Sequence, residues 1–132
     1  MHGVAEYMYE NADIYGLDPN RMYLLGLLHD IGYIYNGELH ELKGSTLLDN
    51  LGYADADIIM WHGTPPDEYE KLTGKPISKE LKYLIEADIK IGPNGDEMEY
   101  DERLRDIQMR YGEDSREAKI AERIVGWLYE NA

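Results

Sequence analysis

Apolar residues in this chain recur at three- and four-residue spacings between glycine and proline stops, and they never alternate long enough to make a strand. "HGVAEYMYENADIY" has helical character up to Gly16. Asp18 followed by Pro19 is a helix-start signal, because the carboxylate caps and the proline suits the first helical position. The helix it opens, "RMYLLGLLHDIGY", is expected to end at Gly32 and Asn36-Gly37. Leu39, Leu42, Leu47, Leu48 and Leu51 make a candidate buried stripe up to Gly52. "ADADIIMWHG" is a short helix stopped by Gly63. In "TPPDEYEKLTG", Thr64 is the expected cap, with Asp67 at N3. Ser78 is expected to cap a helix with Leu81, Leu84 and Ile85 on one face. "PNGDEMEY" is the clearest loop, and "YDERLRDIQMRYG" stops at Gly112. The last helix is expected to open on an Asp114 and Glu117 capping box and to bury Ala118, Ala121, Val125 and Leu128. The expected fold is all-α, one compact bundle of about six to seven helices over residues 1–132.

Composition narrows the function classes. Twenty-seven acidic residues against thirteen lysines and arginines give a net charge of −14. Such a surface repels polyanions, so nucleic acid is not an expected partner, and an anionic substrate would need a local source of positive charge. With so few basic residues, bound metal is the obvious supplier. Cysteine is absent, which removes disulfides, thiolate nucleophiles and zinc-thiolate sites together. No apolar run approaches the roughly 20 residues needed to span a bilayer, so no membrane partner is expected. The first residues have neither a basic nor an apolar leader segment, and a cytoplasmic location is the expectation.

Four histidines, His2, His29, His40 and His62, each fall near the end or beginning of an expected helix. Singly, each is most simply a satisfied polar residue. His29 and Asp30 are adjacent and so point about 100° apart on a helix. They can share a metal only in a groove beside the helix end, with further ligands from other helices. Asp88 lies within "YLIEADIKI", where an ionised carboxylate is costly unless it is paired, metal-bound or turned to solvent.

The order His2, "GLLHDIGY" with His29 and Asp30, "LHELKGSTLL" with His40, "MWHG" with His62, and "EADIK" with Asp88 resembles the HD superfamily of metal-dependent phosphohydrolases. The resemblance covers about residues 1–92, which it marks as the metal-site core; residues 98–131 are then a C-terminal helical extension. It implies that His2, His29, Asp30 and Asp88 hold one metal, that His40 and His62 hold a second, and that Asp30 bridges them. This set is similar to the dinuclear branch that includes bacterial diadenosine tetraphosphate hydrolases. Imidazole and carboxylate ligation without thiolate suits iron, manganese, zinc or nickel, one or two ions per chain, with iron the family-weighted choice. Two departures stand out. Tyr33 replaces the lysine that often follows "HDIG", and His2 directly follows Met1, where a chain is expected to fray.

The implied function is hydrolysis of a nucleotide or other small phosphorylated molecule by a metal-activated water, in a monomer or homodimer. Asp30 and Asp88 are the expected catalytic carboxylates, and Lys43, on the helical face of His40, the expected phosphate contact. Lys90, Arg103 and Arg105 are further candidate cations, and Tyr33, Tyr35 and Trp61 candidate base-stacking rings. A di-iron oxygenase on the same ligand set, or a non-catalytic metal- or nucleotide-binding module, are the alternatives. Neither a "GYP" motif nor an "ED" partner is present, which disfavours cyclic-di-GMP and alarmone hydrolysis.

Overall fold

Local caps and stops decide where each helix begins and ends. The computed structural model describes residues 2–30 and 46–131. Helix α1 (His2–Asn11) runs into a 3-10 turn (Ala12–Tyr15), which Gly16 ends at φ 68 by returning its N–H to the Ala12 and Asp13 carbonyls. Helix α2 (Pro19–Leu28) starts as expected: the Asp18 carboxylate accepts from the Asn20 N–H and Pro19 opens the first turn. Residues 46–50 are helical. They are followed by α3 (Ala56–Trp61), α4 (Pro66–Thr73), α5 (Lys79–Lys90), α6 (Tyr100–Tyr111) and α7 (Arg116–Glu130). Strand pairing among the described residues amounts to an isolated bridge between Ile91 and Glu97. The fold is all-α. Among the described residues, no helix is long and apolar enough to cross a membrane.

Helix α5 is the central element because it carries two apolar stripes. Tyr83, Leu84, Ala87 and Ile91 join Val4, Met8, Met22, Leu25 and Ile59 in one core. Leu81, Ile85 and Ile89 pack against Ile124, Val125 and Leu128 of α7 in a second. Each such aliphatic side chain contributes roughly 1.5–3 kcal/mol on full burial. The antiparallel sense of the packing is read from contact pairs. Ala5 meets Gly26 and Tyr9 meets Tyr23, so α1 and α2 run in opposite directions. Gly3 meets Ile91, while the Tyr83 hydroxyl donates to the Met8 carbonyl, so α1 and α5 also run oppositely. The start of α1 and the ends of α2 and α5 therefore meet at one pole.

Gly26 makes this approach possible. A Cβ there would lie 2.8 Å from the Ala5 Cα, closer than backbone can tolerate. Arg21 ties α2 to the start of α3 with a two-pronged bond to Asp55, at 2.9 and 2.7 Å. A part-buried polar cluster fixes α5 against the 3-10 turn that follows α1: the Tyr15 hydroxyl donates to Glu86 at 2.7 Å, and Lys90 lies 3.3 Å from the other oxygen of that carboxylate.

Three local expectations are corrected. Thr64 does not cap α4. Pro65 occupies that position in extended backbone, as a residue before proline must, and it has no side-chain acceptor to offer. The last helix is capped by Ser115 rather than by an Asp114 capping box. The Ser115 hydroxyl accepts from the Ala118 N–H at 3.1 Å and also donates to the Gly112 carbonyl at 2.6 Å, which a carboxylate cannot do. Leu51 is 73% exposed: the turn at Gly52 carries it out of the stripe, while Leu48 stays buried. Leu39, Leu42, Gly32 and Asn36-Gly37 lie outside the described residues; the helical part of α2 stops at Leu28. A capping box unforeseen in the sequence joins Glu99 and Glu102 at the start of α6.

The cap correction is testable. Ser115→Ala should cost about 1 kcal/mol of stability. Asp114→Ala should change it by less than about 0.5 kcal/mol. Midpoints of urea unfolding at constant slope measure both, and equal effects would restore the capping role to Asp114.

Candidate metal centre

His29 and His62 are held by the same device. Each is the residue that closes its helix, within reach of last-turn carbonyls that have acceptor capacity to spare. The His29 Nδ1 donates to the Gly26 carbonyl at 2.6 Å, and the His62 Nδ1 donates to the Ile59 carbonyl, three residues back in both cases. That bond fixes the ring and leaves Nε2 pointing away from its own helix. Both imidazoles are buried, and they meet edge to face with centroids 5.4 Å apart.

Their Nε2 atoms converge on carboxylates. The His29 Nε2 lies 3.0 Å from the Asp30 Oδ2 and 3.3 Å from the Asp88 Oδ1. The other oxygen of Asp30, Oδ1, lies 3.7 Å from the His62 Nε2. The Asp88 carboxylate, at the end of α5, is 38% exposed, so the cluster opens to solvent on that side. Ligand atoms of His29, Asp30 and Asp88 all fall within 4.8 Å of one another, which is a spacing that can hold a metal ion.

This arrangement requires a cation. With its Nδ1 proton committed to the Gly26 carbonyl, a neutral His29 aims a lone pair at two carboxylates. Its Nε2 is fully buried and makes no aligned hydrogen bond to either of them. Repulsion is relieved by a proton or by a metal. Without metal the proton wins. Burial lowers the His29 pKa, but Asp30 and Asp88 more than offset that and hold it at about 10. The same balance raises His62, where burial again opposes and Asp30 and Asp88 prevail. Burial pushes Asp30 and Asp88 upward, yet the two imidazoles hold both carboxyls below their ordinary value. The donor set, two imidazole nitrogens and two carboxylates without thiolate, fits a divalent transition metal.

A pH signature follows. A group whose pKa is raised on folding stabilises the fold fully below its unfolded pKa, near 6.5 for histidine, and loses that contribution as pH rises through the folded value. Metal-free protein should therefore lose stability between pH 7 and the His29 pKa of about 10. Metal-loaded protein, whose His29 is already deprotonated, should lack this slope. Equal slopes with and without added Mn²⁺ would mean that the metal does not displace the His29 proton.

A family model of the HD domain matches residues 1–90. The chain belongs to the HD domain family. Members are largely metal-dependent hydrolases and bind divalent metals. The match ends at the last residue of α5, so α6 and α7 lie beyond it. Comparison with curated proteins and with solved structures gives no match.

Of the residues picked from the HD pattern, the fold brings together His29, Asp30, His62 and Asp88. His40 and Lys43 lie outside the described residues, as do Tyr33 and Tyr35; of His2 only the backbone is described. The other candidate cations are placed elsewhere. Lys90 pairs with Glu86 over the rings of Tyr7 and Tyr100, Arg103 pairs with Asp106, and Arg105 is exposed. Trp61 stacks edge to face on Tyr69, lining a cleft with Asp57, Ile58 and Lys75. The Gly26 and Ile59 carbonyls, which orient the two imidazoles, were not foreseen. Their signal was available, since each lies three residues before a helix-ending histidine.

Proposed function

We propose that this HD domain protein is a metal-dependent phosphohydrolase of the dinuclear type, acting on a nucleotide or another small phosphorylated molecule. The observation that carries the reading is the division of one carboxylate between two imidazoles: Asp30 turns Oδ2 to His29 and Oδ1 to His62. Asp30 so placed could serve two ions, of which the first would also be held by His29, Asp88 and His2 and the second by His62 and His40. A bound divalent metal would supply a water acidic enough to attack at neutral pH, and positive charge for the phosphoryl oxygens.

The chain's own residues would do the rest. With metal bound, His29 and His62 would present neutral Nε2 donors from rings locked by backbone carbonyls. Asp30 would serve both sites and offset part of their charge. Asp88, part exposed beside them, has Oδ1 toward His29 and its second oxygen available to orient the attacking water or take its proton. Iron is the proposed metal, with manganese, zinc and nickel as competitors for the same ligands. The excess of acidic side chains supports metal, rather than lysine or arginine, as the principal anchor for phosphate.

The test is phosphate release from a panel of nucleotides and sugar phosphates by protein loaded separately with iron, manganese, zinc and nickel. Each assay is run with and without oxygen. Turnover independent of oxygen supports hydrolysis. Oxygen consumption without phosphate release would replace the proposal with oxygenase chemistry, and metal binding without either would leave a binding module.

A further inference from the structure

His2 opens helix α1, so whatever fixes the first turn of that helix fixes where the His2 backbone lies. The loop after α5 packs on that turn. Gly92 N–H donates to the Asp96 carbonyl at 2.9 Å and Gly95 N–H to the Gly92 carbonyl at 3.0 Å, and the Ile91–Glu97 bridge closes the turn. Gly95 adopts φ 83, a conformation that favours glycine, which turns its backbone against the first turn of α1. There it meets Gly3. A Cβ on Gly3 would lie 2.9 Å from the Gly95 Cα, 3.0 Å from the Ile91 Cγ2 and 3.4 Å from the Gly95 oxygen. Two of those three atoms are backbone and cannot swing away.

A second close contact sets the register. Ala5 and Gly26 touch across the antiparallel α1–α2 pair. His2 lies three residues before Ala5 and His29 three residues after Gly26, about one helical turn in each case. Their backbones therefore arrive at the same pole, beside the end of α5 that carries Asp88. We infer that Gly3 and the 91–98 loop form a clamp that positions His2 for metal binding, with Gly3 and Gly95 as positioning residues. Neither glycine touches the metal; the contact acts through His2 by restricting where α1 can begin. This inference rests on the metal-site reading above, and its test separates the two.

The experiment is a double-mutant cycle on the full chain, read by calorimetric Mn²⁺ binding, with circular dichroism to verify folding. His2→Ala should weaken the Mn²⁺ site that it serves. Gly3→Ala should weaken the same site by roughly tenfold, the scale of an orienting interaction lost beside a ligand. In the His2→Ala background, Gly3→Ala should change affinity by less than about twofold, because the ligand through which the clamp acts is gone. Gly126→Ala, where an added Cβ meets nothing within 4 Å, is the control for a methyl with room.

If Gly3→Ala does not fold, two residues inserted between the exposed Pro93 and Asn94 lengthen the turn without adding volume to the core, and the same pattern is expected. Equal losses in both backgrounds, or no loss in either, would overturn the clamp while leaving His2 a ligand. Unchanged binding in His2→Ala would instead remove His2 from the ligand set, and the clamp with it.

Discussion

Asp30→Ala is expected to abolish the proposed phosphohydrolase activity, with a fall of at least roughly a thousandfold in kcat, about 4 kcal/mol of lost transition-state stabilisation. The size follows from position. Its two oxygens face two different imidazoles, so in the dinuclear site proposed above one substitution would remove a donor from both halves and leave the positive charge of the metals less compensated. His62→Ala should be milder and different in kind: metal content should fall toward one ion per chain while the first site remains filled. The comparison is made on protein verified as folded, with kcat and KM measured separately and metal determined by elemental analysis. An Asp30→Ala variant with wild-type turnover and metal content would show that the dyad is structural. Loss of both metals in His62→Ala would argue for one shared site.

The second large effect concerns stability. Metal that binds only the native state stabilises it by mass action, by about 2.7 kcal/mol at a free concentration 100 times the dissociation constant. For a domain of this size that is a rise of roughly 10 °C in Tm. His29→Ala should abolish the rise, because the buried Nε2 that faces both carboxylates is lost with the ring. The same variant should lower the Tm of the metal-free protein, since Asp30 and Asp88 then face each other without the imidazolium that stands between them. Scanning fluorimetry with Mn²⁺, Zn²⁺ and anaerobic Fe²⁺, each against a chelator control, measures both effects. No rise with any metal would remove the metal centre from the account.

What the sequence determined alone was local. Asp18 with Pro19, Ser78 and the glycine stops act within one turn of chain, so their signals were legible and the structure places helices accordingly. The helical spacing of Leu81, Leu84 and Ile85, and of Ala118, Ala121, Val125 and Leu128, identified the buried faces correctly for the same reason. Where caps compete over one or two residues the pattern misled. Asp114 and Ser115 both satisfy it, and the choice fell to a hydroxyl able to donate to Gly112 as well as accept from Ala118. The four residues that cluster were legible only within an ordered set matching a family, since no spacing rule joins His29 and Asp30 to His62 and Asp88 across up to 59 positions.

Only the tertiary structure decided how those residues meet. Whether Asp88 was a solvated face or a partner for His29 depended on the end of α5 reaching the end of α2. That approach depends on the backbone contact of Gly26 with Ala5 and on the two-sided burial of α5. The division of the Asp30 oxygens between two imidazoles depends on α3 delivering His62 to the far side of the same carboxylate. The contact of Gly3 with Gly95 joins positions 92 residues apart and has no periodicity from which to infer it. Local signals report the free energy of one turn of chain. A pole where two imidazoles and two carboxylates converge is set by contacts between turns distant in sequence, which become definite only when the helices pack.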